Sequence, residues 1–186
     1  MRAIILLLAL AGLFAAPGRA AAGSGPDGRA GLRARVVAEA RKLVGIREHG
    51  RNRGPEVDAL IKEAGGQPGQ AWCSWTVVVI MRRAGIPVPR FGKALAWFDA
   101  AHVVWRNGAA VLGRALPQPG DLLSFSWGSH VETQVGPWGT GPSVRAVGGN
   151  TGGGGALKRE GEGVYENWRL KRMIPAVANV VDNPKY

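Results

Sequence analysis

One cysteine, Cys73, stands in 186 residues, so no disulfide can form within the chain. Histidine is nearly as scarce: His49, His102 and His130 are the only three. There is no dense His/Cys/Asp cluster of the kind that ligates a metal, so neither a metal nor an organic cofactor is expected. Acids are outnumbered, 13 Asp+Glu against 24 Lys+Arg, for a formal net charge of +11. The basic residues are scattered rather than blocked, and no aromatics are spaced among them as a stacking platform for bases. Nucleic acid is therefore not an expected partner. No run after residue 22 has the apolar length needed to cross a bilayer, which argues against stable membrane insertion.

What is present begins with a leader. Met1 to Ala22 has a positive start at Arg2, an apolar stretch from Ile4 to Phe14 and small-residue cleavage sites near Ala20–Ala22. This is the pattern of a secretory signal peptide, and it predicts a secreted or periplasmic protein. Its removal takes away Arg2 and Arg19 but no acid, which leaves +9. A remainder of about 160 residues suits one domain with a real core. A basic exported domain is drawn to anionic polymers such as those of a cell wall.

The periodicity predicts helices first and strands afterwards. Residues 23–30 read as a flexible lead-in and 31–176 as the folded domain, with 177–186 as a C-terminal tail. Helices are expected over Leu32–Val44, Pro55–Ala64 and Cys73–Ala84, with a short fourth around 92–101. Thr76-Val77-Val78-Val79-Ile80 would pass as a buried strand by propensity. Its length, the face Val77/Ile80/Met81/Ala84 and the Gly85-Ile86-Pro87 stop favour a helix. Short strands are expected at 121–127, 130–135, 143–147, 163–165 and 168–174, with a mobile glycine-rich loop from Gly152 to Gly163. The fold class is α+β, with N-terminal helices packed on a C-terminal antiparallel sheet.

An exported chain with one thiol uses it either as inert packing or as a reactive group. Cys73 follows the Pro/Gly-rich stretch Gly65-Gly66-Gln67-Pro68-Gly69 and opens the third helix, where free N–H groups and the helix dipole favour a thiolate. A thiol nucleophile needs a base, and the base needs a group that holds its tautomer. His49 sits in a polar loop and His102 at a helix end, both structural positions. His130 opens an apolar strand after a Gly-Ser turn and is the candidate base. Asn150, after Val147-Gly148-Gly149, is the candidate third member, accepting the Nδ1–H bond of His130. Trp72, Trp127 and Trp138 are candidates for lining a substrate groove, Trp72 and Trp127 foremost.

The ordered set Trp72-Cys73-Ser74, Pro119-Gly120-Asp121, His130-Val131 and Gly148-Gly149-Asn150 resembles the CHAP and NlpC-type cysteine amidase/peptidase superfamily. The closest likeness is to a bacterial branch with a Trp-Cys box and a Gly-Gly-Asn triplet. The likeness covers roughly residues 35–175. It implies a papain-like core and hydrolysis of amide bonds in peptidoglycan, the expected partner, in stem peptides or muropeptides. By position it implies Cys73 as nucleophile, His130 as general base and then acid, and Asn150 as orienting group. The chain departs from its relatives at two positions that carry acids or glycines. They commonly read His-Val-Gly where this chain has His130-Val131-Glu132, and some place a glutamate where this chain has Gly148. Two other functions fit the same residues: a catalytically silent wall-binding or inhibitory domain, and an exported toxin or acyl-transfer enzyme.

Overall fold

The computed structural model describes residues 26–111, 113, 116–125, 129–155, 161–183 and 185–186. The expected signal peptide, residues 1–22, lies outside them. Helix α1 spans Pro26–Lys42, so the lead-in expected at 23–30 is helical from Pro26 onward. A helix can open on proline, whose missing N–H would have no partner there anyway. The helix is pinned well past its start. The Arg33 guanidinium donates to Asp121 Oδ1 (2.8 Å), Pro119 O (2.9 Å) and Asp182, while Val36, Ala40 and Leu43 are buried.

Helix α2 runs Pro55–Ala64 and buries Val57, Leu60, Ile61 and Ala64, the i, i+3, i+4, i+7 face of its sequence. Gly65 ends it at φ 92, a left-handed conformation that favours glycine. Helix α3 runs Cys73–Arg83 and is buried on every side from Cys73 to Met81. Its β-branched run costs about 0.5 kcal/mol per residue in helix propensity. Burying each Val or Ile side chain contributes about 1.5–3 kcal/mol, so packing decides. The short helix expected at 92–101 is a single 3₁₀ turn, Ala94–Trp97.

Seven strands follow: β1 Val103–Arg106, β2 Ala109–Ala110, β3 Leu122–Ser124, β4 Val131–Gln134, β5 Ser143–Thr151, β6 Gly163–Leu170 and β7 Ala176–Ala178. They form one antiparallel sheet in the order β2-β1-β7-β3-β4-β5-β6. The chain is α+β, three N-terminal helices packed on a seven-stranded antiparallel sheet. The strands expected at 163–165 and 168–174 are one strand, β6, closed by a 3₁₀ turn at Lys171–Met173. The tail expected from 177 is a correction of a different kind. Val177 and Ala178 belong to β7, in the middle of the sheet between β1 and β3, and Val180 is fully buried.

The sheet is buried on both faces. Leu122, Val131, Val147, Val164 and Ala178 face the helices; Leu123, Phe125, Val144, Ala146 and Val177 form a second cluster with Trp138 on the other face. Among the described residues no helix is long and apolar enough to cross a membrane.

Candidate active site

Two close approaches fix where α3 begins. Trp72, just before the helix, is fully buried, and its Nε1–H donates to Glu48 Oε1 at 2.7 Å. Its carbonyl accepts from both the Thr76 N–H (2.9 Å) and the Thr76 hydroxyl (2.8 Å). On the sheet side, a Cβ on Gly149 would lie 2.0 Å from Thr76 Oγ1 and 3.0 Å from Trp72. Glycine at 149 therefore lets β5 carry the first turn of α3. Beyond Cys73, the Ser74 hydroxyl donates to Phe91 O and accepts from Trp97 Nε1–H at 2.8 Å. The nucleophile candidate is thus held from three sides.

Cys73 is 5 % exposed and opens the helix, with its thiol 3.7 Å from Ser129 O. The N–H groups of a helix's first turn have no partner within the helix, so the sulfur sits at a positive terminus. His130, fully buried, comes from the residue before β4 and meets the sulfur across the gap between helix and sheet. Burial alone would push its pKa down. Hydrogen bonds with Cys73 and Glu132, and the charge of Glu132, outweigh burial and raise it to about 9. At neutral pH the ring is an imidazolium beside the thiol, the positive neighbour that a thiolate nucleophile requires.

The group that orients the ring is Glu132. Its Oε1 lies 3.1 Å from His130 Nε2, which leaves Nδ1 as the ring nitrogen available to the thiol. The carboxylate is itself held by Arg169, whose Nε donates to Oε2 at 2.8 Å and whose Nη2 donates to Oε1. Both side chains are at most 1 % exposed. Burial pushes the Glu132 pKa up, but the bonds from His130 and Arg169 win and hold it below the usual carboxylate range. Arg169 is in turn fixed by Thr151 Oγ1 and Gly155 O, both at 3.0 Å, and stands over the Phe125 ring. By strand alternation Glu132 and Arg169 share the sheet face turned away from the helices. The site therefore threads from α3, past the end of β4, to a buried charge pair on the far side.

The residues singled out by sequence divide accordingly. Cys73 and His130 are brought together. Asn150 is not bonded to His130: it sits at a bulge in β5, fully buried, and neither amide atom has a hydrogen-bond partner among the described residues. Its φ is 55, a left-handed conformation that asparagine tolerates better than most residues. The backbone explains the residue type there. Trp72 lines no groove, being sealed beneath the helix start. Trp127 lies outside the described residues. Trp138 is buried against Trp105 and Lys171, in the second core cluster. His49 is an exposed loop residue; His102 is buried, paired with Asp99 and stacked on Tyr186.

No family model, curated protein or solved structure matches this chain. Glu132 and Arg169 are what sequence reasoning missed as site residues. The signal for Glu132 is a pair of departures from the resembled motif, a glutamate where that motif has glycine and a glycine where it can have glutamate. Positions 132 and 148 face each other across the β4–β5 ladder, continuing the pairs Thr133–Val147 and Gln134–Ala146.

Proposed function

We propose that this protein is a cysteine amidase or endopeptidase with a Cys73–His130–Glu132 site and a papain-like core, secreted and acting on amide bonds of peptidoglycan. The observation that carries the chemistry is the His130–Glu132 contact beside a thiol at a helix start. In this mechanism the Cys73 thiolate attacks the substrate carbonyl and forms a tetrahedral intermediate. The Cys73 backbone N–H contributes to binding its oxyanion. His130 gives its proton to the leaving amine, which departs with the electron pair of the broken C–N bond, and a thioester remains. Water, deprotonated by His130, then attacks the thioester carbonyl and expels the Cys73 thiolate, which restores the thiolate and the imidazolium and releases the carboxylic acid. Glu132 holds the Nε2–H and stabilises the imidazolium without itself taking the proton. Arg169 keeps Glu132 ionised and fixed. The substrate class rests on the ordered motifs that resemble the CHAP and NlpC-type enzymes, and the leader-type N-terminus and positive net charge suit an anionic wall.

The test is digestion of purified peptidoglycan with the wild type and with Cys73→Ala, followed by mass spectrometry of the muropeptides. New amine and carboxyl ends made by the wild type alone are expected, and their position identifies the bond. Equal release by both proteins, or none by either, would overturn the reading.

A further inference from the structure

Two cavities adjoin beside Cys73. One, of about 290 Å³, is lined by Cys73, Ala71, Gly92, Lys93, Leu95 and Ser129 among others. The other, of about 480 Å³, is lined by Gln70, Ala71, Trp75, Gly92 and Lys93. Ala71, Gly92 and Lys93 border both, so together they make a groove with the sulfur toward one end. Its walls are mostly carbon, including Leu95, which is 63 % exposed. Among the described residues Lys93 is the only one of formal charge that lines either half. It is exposed, and among the described residues it takes part in no hydrogen bond or ion pair.

Lys93 is carried by backbone that is tied to the start of α3. The segment before it is anchored through Phe91 O to Ser74, the residue next to Cys73, and Trp97 donates to the same hydroxyl. Phe91 packs edge-on against Trp97 with ring centroids 4.7 Å apart. At Gly92 a Cβ would lie 2.7 Å from Trp75 Cζ2, so glycine is what lets this strand of chain pass so close to α3. Among the described residues, an unpaired lysine thus stands on a wall tied to α3, in a groove with no other formal charge.

We propose that Lys93 is a specificity residue that binds a free carboxylate on the substrate near the scissile bond, while a small apolar unit packs against Leu95. The preferred substrate is a peptidyl chain bearing a carboxylate rather than a carboxamide at that place. This inference rests on the reading of Cys73 as nucleophile, and its test separates the two.

The probes are bromoacetyl-glycine, bromoacetyl-β-alanine and bromoacetyl-4-aminobutyrate, each paired with its carboxamide. Cys73 displaces bromide to form a thioether, and the spacer sets how far the carboxylate lies from the sulfur. For at least one spacer, at low ionic strength, the acid should alkylate Cys73 about two- to fivefold faster relative to its amide than it does in Lys93→Gln. Lys93→Glu should reverse the preference, and added salt should erase it. The imidazolium also attracts acids, so the deciding quantity is the difference between wild type and Lys93→Gln. Lys62→Gln, an exposed charge change on α2, should leave the ratio unchanged. A ratio unaffected by Lys93→Gln at every spacer overturns the Lys93 assignment and leaves the nucleophile intact. Failure of the amides to alkylate at all would count against the nucleophile instead. In that event N-acetyl-β-alanine and its amide, titrated into Cys73→Ala by NMR, decide on Lys93: binding without preference for the acid overturns it, as does no binding.

Discussion

The Glu132 carboxylate fills the space in front of Gly148, its neighbour across the ladder; a Cβ on Gly148 would lie 2.5 Å from Oε1. Glycine at 148 is therefore a condition for an acid at 132. The two departures from the resembled motif are thus coupled in space: the acid stands on β4, and the glycine opposite it on β5 makes room for it.

That coupling predicts a rescue. Glu132→Gly should abolish turnover, and Gly148→Ala should lower it by pushing the carboxylate off His130. The double variant Glu132→Gly/Gly148→Glu should recover a measurable part of kcat, because either strand can then present an acid to the same ring. A double variant no more active than Glu132→Gly, yet folded by circular dichroism, would refute the coupling.

Glu132→Gln tests the orienting role directly. The amide preserves shape but loses the charge that holds Nε2–H and the imidazolium, and kcat should fall roughly 10²–10⁴-fold. Asn150→Gly, which keeps the left-handed backbone and removes the amide, should stay within a few-fold of wild type. Steady-state assays on the released muropeptide bond compare them, and the reverse ranking would return the role to Asn150.

The arginine behind the acid is a matter of stability. Arg169→Met leaves a buried carboxylate without its main partner and should cost about 3–5 kcal/mol in urea unfolding. Arg169→Met/Glu132→Leu removes both charges and should recover most of that loss. If the single variant is no less stable than the double, the pair is not carrying the structure.

The ring's titration gives a pH signature. The folded pKa of His130, about 9, lies above the unfolded value near 6.5. Its contribution to stability is therefore complete below about pH 6.5 and is lost as pH rises through about 9. Denaturation at pH 6.5 and 9.5 should show a larger loss for wild type than for His130→Gln. Activity should fall over the same alkaline limb as the acid for the leaving amine disappears, and Glu132→Gln should move that limb to lower pH. A pH-independent difference between wild type and His130→Gln would contradict the assigned shift.

Helices α2 and α3 were readable because each carries its own signals. Pro55, the apolar spacing and Gly65 mark both ends of α2, and α3 has length and a glycine stop that outweigh its β-branched run. β7 was hidden because Ala176-Val177-Ala178 is too short for a period, and its place depends on partners more than 50 residues away in sequence. Cys73 and His130 stood out by scarcity and position. Glu132 did not, because an acid in a strand reads as solvent-facing unless a distant arginine neutralises it, and Arg169 lies on a different strand. At Asn150 the left-handed backbone angle, which no sequence spacing reveals, accounts for the residue.

The central position of β7 has a consequence for how the molecule is made. Until residues 176–178 have left the ribosome, the chain can hold only two separate fragments of sheet, β1–β2 and β3 to β6, each with a bare edge toward the missing strand. His130, Glu132 and Arg169 lie in or beside the second fragment and Cys73 on α3, all before β7 in the chain, but the lattice of backbone bonds closes last. A chain that ends before β7 would carry Cys73, His130, Glu132 and Arg169 without the clasp, exposing unpaired strand margins that invite aggregation. Late closure thus ties a continuous sheet to completion of synthesis.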